Sequence, residues 1–473
     1  MSAEEPTKKL NWRVWAWAVT VILISPLIAF IGLEKSVNNI KIDERKIVPP
    51  PELARILSRA KDSATTGPLT AADQAAAEIC REFASKTDAA TFRRVFADKL
   101  VKDPKPFAAE REFLLPWTGG PLGEAQTKWV HAHADSIELA LRYANAPGRH
   151  ATDDPAMIDA RRLMMQMLIA DGWVKLHENR TDGIDSYLAI YGLARKAANP
   201  GDIAHDPFAY AANRMIQAWI EDDSLPKPNA PDVLSRLGGI YAEFHAREKH
   251  REQARALIEL EYARLRKERI DFVNTTPWNS RTFGYDLHHR TDYYWPQIGK
   301  TDISLLPRVD RMLATTFSSM NHKRHSDEFV RVLDTYWSKA LEWPDWPWPE
   351  ISKRIFANDF VIGHCYGQLE NRLILLLANE TMINLNRAAL ARLAGMPTPG
   401  KGLTGVAGHV KDPGSPWRDP FTEKPLMIDE GTTRTLIYSL GPRLVDRHGR
   451  VDYWTTKTIN ADGNLGIKVP AKH

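Results

Sequence analysis

The densest gathering of groups able to do chemistry is the stretch TFGYDLHHRTDYYWPQ, which holds Asp286, His288, His289, Asp292, Tyr293 and Tyr294. Neutral imidazole and carboxylate are good ligands for zinc or iron, and His/Asp pairs also move protons. A metal centre on Asp286, His288 and His289 is therefore one expectation. Adjacent histidines diverge on any regular element, however. The reading this spacing favours is a loop whose aromatics pack on the body of the protein while its polar groups cap helices. In MNHKRHSDEF, His322 and His325 lie three apart and would share one helical face. Ser326-Asp327-Glu328 beside them has the composition of an N-cap and an acidic first turn. His131 and His133 are two apart and point away from each other on a helix. His364 adjoins Cys365, a pairing that can serve a thiol nucleophile, although a lone cysteine is more often a small core residue. The sequence contains no HExxH, GxSxG or P-loop.

A different chemistry is offered by LEWPDWPWPEI, in which Trp343, Trp346 and Trp348 alternate with prolines. Proline-stiffened indoles form either a packing wedge between helices or a stacking platform for a sugar, peptide or protein partner. The packing role is the first expectation, and a partner-binding surface on these three tryptophans is the second.

These groups need elements to hold them, and the pattern from Glu52 to Ala394 is overwhelmingly helical. PELARILSRAKDSA follows prolines, which are tolerated at a helix start. Thr70 with Asp73 three residues on forms a capping arrangement for AADQAAAEICREFASK. Further helices are expected over 123–143, 154–178, 185–198, 206–222, 230–270, 305–321, 326–341 and 349–393. HAREKHRE and ARLRKERID, inside the 230–270 helix, read as solvated charged faces. Turn compositions such as Asn179–Gly183 and Asn199–Asp202 make antiparallel neighbours of successive helices. The fold class expected is mainly α: an irregular antiparallel helical bundle or α-hairpin stack over residues 52–394. No repeat of fixed period emerges. A Gly/Pro-rich linker over 395–418 leads to a small tail, 419–473, with two strands expected at 424–428 and 435–440 around Asp429-Glu430-Gly431-Thr432. From Asn460 the composition is again turn-rich and a frayed end is expected.

The strongest signal lies at the front. After a short tail, 1–11, residues 12–33 read WRVWAWAVTVILISPLIAFIGL. As a helix this stretch reaches roughly 33 Å, enough to cross a hydrocarbon layer of about 30 Å. Trp12, Trp15 and Trp17 are placed for the headgroup level, and Pro26 is tolerable inside a membrane helix. The apolar run is too long for a typical cleaved signal peptide, so a single-pass signal-anchor is expected. The bulk of the chain then lies outside the cytoplasm, in the periplasm of a bacterium. Residues 34–51, ending in Pro49-Pro50-Pro51, read as a stalk.

Composition narrows the classes. The chain has 473 residues, 63 Lys+Arg against 59 Asp+Glu, and 43% hydrophobic residues. This excludes a wholly disordered, collagen-like or polytopic membrane chain. A net charge of +4 spread over this length is no nucleic-acid footprint. Cys80 and Cys365 are too few for a disulfide framework.

The tail WRDPFTEKPLMIDEGTTRTLIYSLGP resembles the C-terminal hairpin of type II secretion major pseudopilins. It is closer still to a motif of membrane-anchored helical proteins of planctomycete-type bacteria that have no established activity. The residues that carry the likeness are Asp419, Pro420, Phe421, Lys424, Pro425, Leu426, Tyr438, Ser439, Gly441 and Pro442. In pseudopilins aspartates of the following turn help hold calcium; here Arg443-Leu444-Val445 intervenes before Asp446, and Asp452 and Asp462 follow at altered spacing. The resemblance implies an architecture and no chemistry.

Together these readings lead to one expectation: an anchored, extracytoplasmic scaffold or accessory subunit of an envelope or membrane complex. Its expected partners are the bilayer, through residues 12–33, and other membrane subunits, with no cofactor. The alternatives are an anchored metal-dependent hydrolase using Asp286, His288 and His289, and a glycan or peptide receptor using the Trp343–Trp348 ridge.

Overall fold

Amphipathic segments joined by short polar turns fold into antiparallel helices, and the computed structural model of the chain shows that outcome. It describes residues 20, 24–25, 32, 35–63, 70–99, 122–148, 155–196, 207–245, 247–276, 326–355, 369–396, 415–442, 444–446 and 465–470. The helices in chain order are α1 Pro51–Ser63, α2 Ala71–Lys86, α3 Ala89–Val95, α4 Glu124–Ala132, α5 Ala134–Asn145, α6 Pro155–His177 and α7 Gly183–Ala194. They continue as α8 Pro207–Glu221, α9 Ala230–Phe244, α10 Arg247–Thr275, α11 Ser326–Ala340, α12 Trp348–Ile355 and α13 Leu369–Leu393. The strands are β1 Met427–Glu430, β2 Arg434–Ser439 and β3 Leu465–Pro470. The mainly α class with a small antiparallel C-terminal sheet is thus what the chain adopts.

Among the described residues no helix is long and apolar enough to cross a membrane. The span expected at 12–33, with Trp12, Trp15, Trp17 and Pro26, lies outside them apart from Thr20, Ile24, Ser25 and Gly32.

The chain divides into two compact units. The first takes residues 1–55 and 263–338. Its core gathers Ile42, Ile47, Ile270, Val273 and Val330, so the segment read as a stalk is packed chain around residues 42–47. Asn274 ties it down, accepting from Ile42 N at 2.7 Å and donating to Ile42 O at 3.3 Å. Arg266 is buried against Asp334 at 3.2 Å and donates to Ile47 O at 3.0 Å.

The second unit takes residues 56–262 and 339–473. The Thr70 cap forms as expected: Asp73 N donates to Thr70 Oγ1 at 3.1 Å, and Thr70 N donates to Asp73 Oδ2 at 3.0 Å. Around α7 the helices approach closely. A Cβ added at Gly192 would clash with Ala144 O, and one at Gly172 with the Tyr187 ring. Only glycine permits that spacing.

Helix α13 runs through the middle of this unit, packed by α8, α9, β2 and β3. Its residues from Ile374 to Ala391 are almost all buried, so its polar groups need internal partners. Asn386 donates to Asn213 O at 3.0 Å, Asn384 to Arg418 O at 3.1 Å, and Thr381 to Leu377 O at 2.8 Å. Arg392 grips Glu430 at 3.0 and 2.8 Å and Thr435 at 2.8 Å, fixing the sheet to its C-terminal end.

The sheet order is β1-β2-β3, all antiparallel. Met427 pairs with Tyr438 and Glu430 with Thr435. The expected frayed end is corrected here, because Leu465–Pro470 forms β3 beside β2, with Arg434 opposite Pro470. Leu465, Ile467 and Val469 are buried and Lys468 is exposed, the alternation of a strand with one covered face.

Candidate functional site

Two helices expected as one, 230–270, are broken at His245, and the break builds the site. Its main-chain N–H closes α9 by donating to Tyr241 O at 2.7 Å. The chain then turns into α10, placing His250 near its start. His245, His250, α13 and the Trp343–Trp348 segment enclose a cleft of about 140 Å³ within the second unit.

One wall is aromatic. Trp343 opens a short 3-10 turn, Trp343–Asp345, whose carbonyl accepts from Trp346 N at 2.9 Å. Trp348 starts α12, is 3% exposed, and donates from Nε1 to Pro442 O at 2.9 Å. Its ring meets Phe421 edge-on at 5.8 Å. Trp343 is likewise buried, whereas Trp346 is only partly covered. The structure therefore brings the three sequence-picked tryptophans to one cleft, Trp343 and Trp348 buried and Trp346 half-buried.

The facing wall is polar and centred on Glu380 of α13, whose side chain is 4% exposed. Tyr241 Oη donates to its Oε1 at 3.2 Å. His250 Nδ1 lies 3.0 Å from its Oε2, an ion-pair contact off the line of a well-formed hydrogen bond. Arg418 Nη1 stands 3.8 Å from Oε1, and Arg418 Nη2 donates to Glu423 at 3.2 Å. At the rim Arg251 pairs with Asp345 at 3.5 Å. Burial pushes the Glu380 carboxyl up, but the His250 imidazole, with Arg418, outweighs it and holds the group below the usual carboxylate range. Burial pulls the His245 imidazole down to about 4, with the charges of His250 and Arg387 adding to the effect against Glu380. It is therefore neutral at ordinary pH. His245 is 2% exposed and its Nδ1 has no hydrogen-bond partner.

Arg418 and Glu423 reach the cleft from a loop held by Asp419. The Asp419 carboxylate accepts from Phe421 N at 3.0 Å, Thr422 Oγ1 at 3.1 Å and Ser439 Oγ at 2.8 Å. Burial nevertheless raises this carboxyl to about 6. Glu423 adopts φ 58°, the left-handed bend that returns the loop to Lys424.

No family model, curated protein or solved structure matches the chain.

Other sequence-picked residues stand elsewhere. Asp286, His288, His289, Asp292, Tyr293, Tyr294, His322, His325, His364, Cys365, Asp452 and Asp462 lie outside the described residues. Asp446 accepts from Tyr438 Oη at 3.3 Å. His131 contacts Glu178 at 2.9 Å, while the His133 ring stacks on Trp129 and bonds its carbonyl at 2.8 Å. Among the described residues no group of three or more His, Cys, Asp or Glu side chains could hold a metal ion.

Reading the sequence alone missed His245, His250, Glu380, Arg418 and Glu423. The solvated face expected for HAREKHRE fails at two positions, where His245 is buried and His250 lines the cleft. The signal was present in α13. A glutamate inside LILLLANETMINL must be buried, and a buried carboxylate requires basic or hydroxyl partners.

Proposed function

We propose that this protein is a membrane-anchored, extracytoplasmic receptor that holds a small ligand in the tryptophan-walled cleft. The observation that carries this reading is the convergence, on one concave site, of proline-flanked tryptophans with the polar wall of His245, His250, Glu380 and Arg418. Concave sites with apolar walls and a few converging polar groups are the usual form of small-molecule sites. The anchor and the extracytoplasmic side are supported by the hydropathy and flanks of residues 12–33.

The test uses the full-length protein in a sugar-free detergent, screened by thermal shift against neutral sugars, carboxylates and amines. The expected result is a saturable rise in melting temperature with one class, lost in Trp346→Ala. A screen in which no class raises it would contradict the receptor reading. Alkaline carbonate washing of membranes tests the anchor separately, the full-length chain staying with the vesicles. The scaffold role remains a second reading, supported by the tryptophan-rich segment around the half-buried Trp346, since tryptophan is enriched at protein hot spots. Stoichiometric co-purification with other membrane subunits, lost in Trp346→Ala, would favour it.

A further inference from the structure

We propose that the outer face of the C-terminal sheet is an interface between two copies of this chain, related by a two-fold axis that runs along β2 above Leu436; nothing in it depends on the cleft. Strand alternation gives the sheet two faces. Thr435, Ile437, Ile467 and Val469 are fully buried on the inner one, where β2 and β3 pack on α13. The outer face carries a row that reads straight across the strands, since Asp429 pairs with Leu436 and Leu436 with Lys468. Asp429 and Lys468 are exposed and Leu436 is half-buried. The row therefore runs acid, apolar, base.

That order is self-complementary. Asp429 and Lys468 stand two strand spacings apart, about 10 Å, and among the described residues neither side chain has an ion-pair partner. Arg434 on the same face is already held by Asp223. A two-fold rotation about an axis parallel to β2 lays β1 of one copy over β3 of the other. Asp429 then meets the partner's Lys468, Leu436 meets the partner's Leu436, and Lys468 meets the partner's Asp429. Sheets stacked face to face stand about 10 Å apart, a gap that an aspartate and an extended lysine bridge from opposite sides. The ion pair forms twice, and the half-buried leucine is taken out of water.

The edges of the sheet do not suit the same task. Beyond β3 the main chain is capped by α8: Gln217 Nε2 donates to Gly466 O at 2.7 Å, and Lys468 N donates to Glu221 Oε1 at 3.0 Å. Beyond β1, antiparallel pairing of two copies would bring Asp429 and Glu430 of one strand against those of the other, and like charges across a ladder are unfavourable. Rotation about an axis across the strands, instead of along them, would set Asp429 on Asp429 and Lys468 on Lys468. Toward Tyr438 the outer face is already covered, so the contact is short and the dimer reversible.

The experiment measures the mass of the full-length protein in an uncharged detergent by light scattering, over a series of protein concentrations at low salt. A reversible monomer–dimer equilibrium is expected. Asp429→Lys and Lys468→Asp should each weaken it about tenfold, because the two-fold axis makes each substitution act at two contacts. The double variant carries the same row in reverse order and should recover the equilibrium of the natural chain. An equal mixture of the two single variants should also recover it, since every lysine of one then meets an aspartate of the other. Both side chains are exposed, so the melting temperatures of the variants should stay close to that of the natural chain, which separates lost pairing from lost folding. A natural chain that is monomeric at every concentration would overturn the proposal. So would a dimer indifferent to both charge reversals, or one weakened by each reversal and recovered neither by the double variant nor by the mixture.

Discussion

Each unit of the molecule buries a charged pair, and the two are finished differently. In the first unit Arg266 and Asp334 are 5% and 4% exposed, and the guanidinium also holds Ile47 O at 3.0 Å. That pair is sealed, and its geometry serves to fix the segment around Ile47 onto α10. In the second unit Glu380 is as deeply placed, but its partners His250 and Arg418 are 22% and 17% exposed and line a cleft. A sealed pair directs its hydrogen-bonding capacity inward. An open one keeps capacity for something that arrives from solution. Burial of charge alone therefore does not mark a site; burial combined with a concave opening does.

The sealed pair should be the more costly to break. Asp334→Ala strands a buried guanidinium and is expected to lower stability by about 3–5 kcal/mol, read from the denaturant midpoint. A loss as small as that of a surface pair would contradict the sealed description.

Acidity separates the regions next. The unfolded chain protonates His245 near 6.5, whereas the folded chain resists until about 4. Stability from this group is therefore lost as pH falls through that window, by about 3 kcal/mol in full. Asp419 works in the opposite sense. Its folded value of about 6 exceeds the unfolded 3.8, so the folded state takes the proton first and stability rises as pH falls from about 6, again by about 3 kcal/mol. The two nearly cancel in the native protein. His245→Asn removes the first and should leave a protein that gains stability on mild acidification, followed by unfolding titrations between about pH 7 and pH 4. Parallel profiles for the two proteins would contradict the assignment.

Glu380→Gln should cost less than Asp334→Ala, about 1–2 kcal/mol, because water in the cleft reaches His250 and Arg418. The smallest effect is expected for Trp346→Ala, about 1 kcal/mol of stability, with the major loss in ligand binding.

The helical class, most helix positions and the β1–β2 hairpin were legible because they rest on local signals: caps, 3.6-residue periodicity and turn residues. The breaks at His133 and His245 were not, since neither carries glycine or proline. At His133 the side chain takes the Trp129 carbonyl at 2.8 Å, where a helix would place the next main-chain N–H. That substitution depends on ring stacking, which spacing does not reveal. Strand β3 was obscured by Gly466 and Pro470 in a short segment whose partner, β2, lies distant in sequence. The tryptophan ridge stood out by composition alone. Its polar counterpart did not, because His245, Glu380 and Arg418 meet only through the packing of α9, α13 and the Asp419 loop.

The most direct test of the open cleft is the imidazole nitrogen chemical shifts of the full-length protein, labelled with nitrogen-15 histidine, as a compound that raises its melting temperature is added to saturation. His133 and His177 supply internal controls, their Nδ1 atoms bonded to Trp129 O at 2.8 Å and Trp173 O at 2.9 Å. The account predicts that the His245 resonances move and saturate while those two stay in place. A His245 signal unmoved by a compound that nevertheless binds the chain would contradict it.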